Sequence, residues 1–311
     1  MRVLDRFDAD DIAALHKRGE FFWLDLRDPA DDEVSALGRM VDLPPLAVQD
    51  TLEFGQRPKL DQYGKRVLIV FYGADAHDLV EVHVHVSGAE VVTVRRAPCA
   101  HLTATLESAA DGAARSEEEL VFRVLDALAD SLATHLEHIE AEVAELAQIV
   151  FERASMDERR RIGELRSELF RLAQHVVPQR DMLAGNGDVI ASLPGMEADG
   201  FRHLFRDVHD ELVGVANAVD YQRELLSEAL TVYLSTVNNR LNETLKQLTL
   251  VATIFLPLTF VTGFFGQNFG WMVDHINRLW SFLVYGVGGL VIAVVLLFAY
   301  FRRQGYFERE Q

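Results

Sequence analysis

Two uncharged apolar runs near the C-terminal end constrain this chain more than any other feature. Between Lys246 and Asp274 no side chain carries a formal charge, and Leu248 to Phe265 reads LTLVATIFLPLTFVTGFF. A second uncharged run extends from Leu279 to Phe301. Each is about as long as a helix must be to cross a hydrocarbon core about 30 Å thick. Neither reads as a secretory signal, because both lie far from the N-terminus, where no apolar h-region stands. The expectation is two transmembrane helices, 248–268 and 279–301, joined by a short external loop, 269–278. For the first run alone the competing reading is a buried core helix, since Pro257 and several Thr lower its hydropathy.

Orientation follows from the basic residues nearest the lipid. Arg240 and Lys246 precede the first run and Arg302 and Arg303 follow the second, against Arg278 alone in the loop. Both termini, including the tail 302–311, are therefore expected on the cytoplasmic side of an inner or plasma membrane. Charge adds a second constraint. The chain carries 48 Asp and Glu against 30 Lys and Arg, a formal charge of −18. From Leu248 onward four Arg meet three acidic residues, so nearly all the negative charge lies upstream. No basic stripe is present for nucleic acid, whereas a cation-attracting body fits. The single cysteine, Cys99, excludes an internal disulfide and a four-thiolate zinc site within one chain.

Upstream of the apolar runs, residues 1–112 read as a mixed α/β domain. Phe21 to Leu26, Arg66 to Tyr72, Val80 to Val86 and Glu90 to Val94 alternate as strands, while Asp31 to Val41 has helical spacing. In 113–199, Ser116 and Glu119 form a capping signal ahead of Leu120, Val124, Leu128, Leu132 and Leu136. The long helix begun there is expected to break around Ala154 to Asp157 and to end near Pro178. Gly185, Gly187, Pro194, Gly195 and Gly200 then separate it from a stalk helix, 200–247, that runs on into the first apolar run.

Along this last helix Asn242, Leu245, Thr249, Ala252, Leu256, Thr259, Gly263 and Gly266 recur at alternating steps of three and four, the seam of a helix packed against copies of itself. Two readings fit a seam of such small and polar residues. It can face a narrow wet path with the leucines as constrictions, or it can let membrane helices pack closely.

The first run closes on Gly266-Gln267-Asn268, preceded by Leu256-Pro-Leu-Thr259 and, further upstream, by Asn242-Glu-Thr-Leu-Lys246. Together with Arg202-His-Leu-Phe-Arg-Asp-Val-His-Asp210, Trp23-Leu-Asp25 and Arg57-Pro-Lys59, these segments resemble the CorA family of divalent-cation transporters, whose first C-terminal membrane helix ends in Gly-Met-Asn. The resemblance covers most of the chain. It implies an α+β cytoplasmic domain, a long stalk helix and two C-terminal transmembrane helices, assembled as a funnel-shaped homopentamer in a lipid membrane.

In that frame the seam lines the pore and Gly266, Gln267 and Asn268 form its mouth. Neutral amide and backbone oxygens there can hydrogen-bond a hydrated Mg²⁺ without trapping it. Asp274 can attract cations in the external loop, or stand as an ordinary solvated residue. Gln267 departs from the family's usual Met, and Met272-Val-Asp274 stands where Met-Pro-Glu is typical, so the ion stays open between Mg²⁺, with Co²⁺ or Ni²⁺, and Zn²⁺. The resemblance further implies cytoplasmic Mg²⁺ sites between subunits, for which Asp207 and Asp75 are the matching positions. Mg²⁺ is then the transported and regulatory ion, and no cofactor is expected.

His77, His83 and His85 suit zinc by ligand type, but Glu81-Val-His-Val-His-Val86 is read as a half-exposed strand in preference to a metal site. No enzyme signature is present, neither a Walker loop nor a nucleophile elbow nor His-Glu-x-x-His. The leading expectation is a passive Mg²⁺ channel. The alternatives are a zinc importer of the related ZntB branch, with or without proton coupling, and a membrane-anchored signalling or scaffold protein.

Overall fold

The computed structural model describes residues 1–76, 78–112, 117–152, 155–191, 201–267, 270–275 and 278–303. The chain divides into two compact units, Met1–Tyr233 and Leu234–Gln311.

The first unit is built on a six-stranded sheet of order β1-β2-β6-β5-β4-β3. Its strands are β1 (Arg2–Leu4), β2 (Phe22–Arg27), β3 (Lys59–Tyr63), β4 (Arg66–Asp75), β5 (Asp78–Val86) and β6 (Glu90–Arg95). β1, β2 and β6 run parallel, and β6, β5, β4 and β3 are joined antiparallel. Both sheet faces are covered. On one, Phe22, Leu24, Leu26, Val92 and Val94 pack with Ile12 and Leu15 of α1 (Ala9–Arg18) and with Leu37 of α2 (Asp31–Met40). On the other, Trp23, Ile69, Phe71, Val82 and Val84 meet the long helices. Burial on two faces explains why these strands are so rich in Val and why His83 and His85 are not half-exposed.

The long helices are α5 (Glu117–Glu152), α6 (Met156–Ala191) and the first part of α7 (Phe201–Phe265), with α3 (Pro45–Leu52) and α4 (Ala100–Ala110) as short connectors. Local chemistry sets several ends. Asp8 accepts from the backbone N–H groups of Asp10 and Asp11, and Gly19 closes α1 in a left-handed conformation at φ 64°. Ser155 and Glu158 form the start of α6, the side chain of Glu158 accepting from the Ser155 N–H at 2.9 Å. The capping residue expected at Ser116 lies outside the described residues.

Pro178 does not end α6, contrary to expectation; the helix continues to Ala191. A proline inside a helix removes one hydrogen bond, and here the buried face continues past it through Gln179, Met182 and Leu183. Gln179 also does strand work. β3 pairs with β4 only as far as Val70, and the next inward backbone donor, the Tyr72 N–H, is taken by the Gln179 side-chain oxygen.

The second unit holds the rest of α7, a short α8 (Gly270–His275) and α9 (Leu279–Arg303). In α9, Phe282–Val287 forms a π-helical turn, in which the Gly288 N–H donates to Leu283 O five residues back. α7 and α9 are long and apolar enough to cross a membrane, and almost none of either apolar stretch is buried by the chain itself. That exposure is what separates them from core helices of a soluble protein.

Candidate ion path and metal sites

The seam of α7 stands where the spacing puts it, on one continuous helix of 65 residues. Asn242, Leu245, Thr249, Ala252, Leu256, Thr259 and Gly263 are all exposed within the single chain, Leu256 at 74%. Pro257 withholds the N–H that Thr253 O would otherwise receive. Threonine hydroxyls around it turn back on the helix: Thr253 donates to Thr249 O at 2.7 Å, Thr259 to Phe255 O at 2.8 Å and Thr262 to Leu258 O at 2.9 Å. Polar side chains are thus carried through an apolar stretch with their protons already placed.

The helix closes tightly. Gly266 N–H donates to Thr262 O at 2.9 Å and Gln267 N–H to Phe264 O at 3.3 Å. A Cβ on Gly266 would come within 3.0 Å of Thr262 O, so the end of the helix suits glycine. Gln267 is exposed, and Asn268 lies outside the described residues. The segment expected as a plain loop contains α8, which carries Asp274 exposed and stacks Trp271 on His275 at 4.5 Å between ring centroids.

In the first unit Asp207 of α7 joins a carboxylate cluster that spacing alone did not single out. Its partners are Glu211 on the same helix and Asp126 and Asp130 on α5. Burial, followed by the charges of Asp130 and Asp207, pushes the Asp126 carboxyl up to about 6. Burial, then Asp130 by charge and hydrogen bond, pushes Glu211 up to about 8. Burial and mutual repulsion thus favour the protonated form of two of these carboxyls. The signal was present as two i, i+4 acidic pairs, Asp126/Asp130 and Asp207/Glu211, but only the packing of α5 on α7 brings them together. Asp75 takes a separate place at the end of β4, where it accepts from the Ala100 N–H at 3.3 Å and so caps α4.

His83 and His85 do share a face of β5, and that face is covered. His83 has no exposure, stacks on Phe54 at 4.6 Å and contacts Glu81 Oε1 through Nε2 at 2.8 Å. Glu81 also accepts from the backbone N–H groups of Gly55 and Gln56, and against the upward push of burial these bonds and His83 together hold its carboxyl below the ordinary range. His85 Nε2 lies 2.8 Å from Thr51 Oγ1, and burial pushes its imidazole down to about 3. Both rings are structural fittings beneath α3 and the loop after it. His77 lies outside the described residues.

Over residues 18–303 the chain matches the family described as CorA-like Mg²⁺ transporter protein. It belongs to that family. The cobalt/magnesium transport protein CorA of Thermotoga maritima is 30% identical over 284 residues, which span 88% of this chain and 79% of that one. The complete structure of the CorA magnesium transporter from Methanocaldococcus jannaschii shares the fold with a TM-score of 0.81 at 20% identity, covering 92% of this chain and 91% of that one. The zinc transport protein ZntB of Photorhabdus laumondii is 25% identical over 224 residues, 69% of this chain and 66% of its own length.

The fold implied by the Gly-Gln-Asn motif is therefore the fold observed: a mixed-sheet domain, a long helix and two C-terminal apolar helices. The chain is a divalent-cation transporter of the CorA family and not an enzyme. The scaffold alternative is set aside, because the family is one of membrane transporters.

Proposed function

We propose that the chain assembles as a homopentameric channel that passes Mg²⁺, and with it Co²⁺ or Ni²⁺, passively into the cytoplasm. The observation that carries this reading is the α7 seam. Its small and polar residues are exposed along the membrane-length stretch, and none of the described residues covers them. Lipid offers no donor to the hydroxyl oxygens of Thr249 and Thr259, whereas a ring of identical helices around a hydrated ion accommodates them.

In this assembly 248–268 and 279–301 span an inner or plasma membrane and 200–247 form the stalk. Both termini lie on the cytoplasmic side. Leu245 and Leu256 are apolar constrictions, Gly266, Gln267 and Asn268 form the mouth, and Asp274 draws cations to it. Inward flow needs no ATP, since the membrane potential supplies about 2.3 kcal/mol per charge per 100 mV.

Gating by cytoplasmic Mg²⁺ is the second part of the reading. Asp207 holds the ion between subunits, with Asp75 as its partner from the neighbouring chain. Asp126 and Glu211, raised first by burial and then by neighbouring carboxylates, add negative charge beside Asp207 that a bound cation would offset.

Zinc import, coupled to protons, is the alternative, favoured by Gln267 in place of the family's usual Met and by the ZntB likeness. Flux into proteoliposomes decides between them. Mg²⁺ uptake driven by potential alone is the expected result; zinc uptake that requires a pH gradient, with no Mg²⁺ flux, would overturn it.

A further inference from the structure

Away from the seam, the first unit contains a cavity of about 330 Å³ between the β4–β5 hairpin and helices α5 and α6. Asp78, Glu81, His135, Glu168, Arg171 and His175 contribute to its wall. Glu81 is already engaged by Gly55, Gln56, Tyr72 and His83. His135 and Glu168 instead face one another at the cavity wall.

His135 on α5 is 5% exposed, and its Nδ1 lies 3.2 Å from the backbone oxygen of Ala76. A carbonyl can only accept, so Nδ1 carries the proton and a neutral ring keeps a lone pair on Nε2. That atom faces Glu168 Oε1 of α6 at 3.6 Å. With a neutral ring, Nε2 and Glu168 Oε1 are two electron-pair donors facing one another at the edge of a cavity, and either a proton or a metal cation between them satisfies both. His175 repeats the polarity. Its Nδ1 is 2.8 Å from Arg171 O, its ring rests on Tyr72 at 4.1 Å, and its Nε2 is again the lone-pair atom. A histidine whose Nδ1–H is held by a backbone carbonyl leaves Nε2 available for metal ligation.

We propose that this cavity binds a divalent cation of the zinc, cobalt or nickel class through His135 Nε2 and Glu168. Among the described residues no group of three or more His, Cys, Asp or Glu side chains is gathered to hold a metal, so the ion keeps water on its remaining positions, within reach of the wall that His175 and Asp78 share. An imidazole nitrogen selects against Mg²⁺, which prefers oxygen and gives up water reluctantly. The site is therefore distinct in chemistry from the all-carboxylate cluster around Asp207. Because the ion would tie α5 to α6, its occupancy reports the supply of scarce metals independently of Mg²⁺. The inference does not rest on the transport reading.

The test is Co²⁺ titration of the full chain in detergent, followed by visible absorption in a large excess of Mg²⁺. Wild-type protein is expected to show a Co²⁺ site that Mg²⁺ does not displace and Zn²⁺ does. Glu168→Gln keeps the side-chain shape and can donate an N–H to the Nε2 lone pair, so folding is retained while the anionic ligand is lost. Co²⁺ affinity is expected to fall about tenfold or more in Glu168→Gln and in His135→Gln, and to be unchanged in Asp207→Asn. Thermal unfolding of metal-free Glu168→Gln serves as the folding control. Equal Co²⁺ affinity in wild type and Glu168→Gln, or displacement of Co²⁺ by Mg²⁺, overturns the proposal and leaves a proton-bridged His135–Glu168 pair.

Discussion

Asp25 and Arg95, neither with any solvent exposure, meet at 2.9 Å as carboxylate and guanidinium on the adjacent strands β2 and β6. Thr93 donates to the same carboxylate at 2.7 Å and accepts from Trp23 Nε1 at 3.1 Å. Trp23-Leu-Asp25 is thus a buried polar network, which gives the weak family likeness of that segment a physical cause. Removing Asp25 strands the guanidinium. Asp25→Ala is expected to cost roughly 3–5 kcal/mol, more than the loss of the contact alone. Denaturant unfolding in detergent measures it; a cost under about 1 kcal/mol would mean that Ala97 O and Thr103 Oγ1 satisfy Arg95 by themselves.

At Gly73, β4 comes close to α5. A Cβ there would fall 2.7 Å from Ser131 Oγ and 2.8 Å from Leu128 Cδ2. Ser131 cannot easily retreat, because its hydroxyl oxygen accepts the Ala74 N–H at 2.8 Å. Gly73→Ala is expected to destabilise the first unit by about 1–3 kcal/mol through overpacking. An unchanged unfolding midpoint would show that α5 shifts to make room.

The carboxylate cluster makes stability depend on pH in a defined direction. Glu211 titrates near 4.5 as an ordinary carboxyl and near 8 in the folded chain. Between those values the folded state holds a proton that the unfolded state has released, so this group's contribution falls as pH rises from about 4.5 to about 8. Glu211→Gln should raise the melting temperature at pH values near 8 and make little difference below about 4.5. Mg²⁺ should stabilise wild type more at the alkaline end, where the cluster is ionised. Equal melting curves for Glu211→Gln and wild type at the alkaline end would contradict this account.

Leu256 is 74% exposed in the single chain and so contributes little to the stability of the isolated fold. If it constricts a pore, Leu256→Ser should leave folding intact and raise basal Mg²⁺ flux in proteoliposomes severalfold, because an apolar ring gates by excluding water. Unchanged flux would place this side chain against lipid or a neighbouring helix. Asn268→Ala is the companion test at the mouth, with loss of flux expected.

Strong periodicity made most of the frame readable. The alternation of Val80 to Val86 and Arg66 to Tyr72 marked β5 and β4, and the three-four seam marked α7. Short elements were not readable, since β1 has three residues and α3 opens on Pro45 with little amphipathic pattern. Polar strand positions misled for a different reason. His83 and His85 look solvated by type, yet Phe54 and Thr51 from distant sequence cover them. The same limit hid the contact of Asp126 and Asp130 with Asp207 and Glu211, which depends on two helices some 80 residues apart in the chain meeting side by side.

The threonines of α7 have a consequence for ions of the opposite sign. Thr253, Thr259 and Thr262 give their hydroxyl protons to the helix backbone, so each leaves only oxygen lone pairs facing outward. Water around a cation points its hydrogens away from the ion and can donate them to such a surface. Water around an anion turns one hydrogen inward and keeps only one to donate, while its lone pairs find no donor there. Where the seam lines the proposed pore, the Thr259 hydroxyl on it would discriminate by the orientation of solvent, without a fixed charge that would slow the passage of the ion it admits.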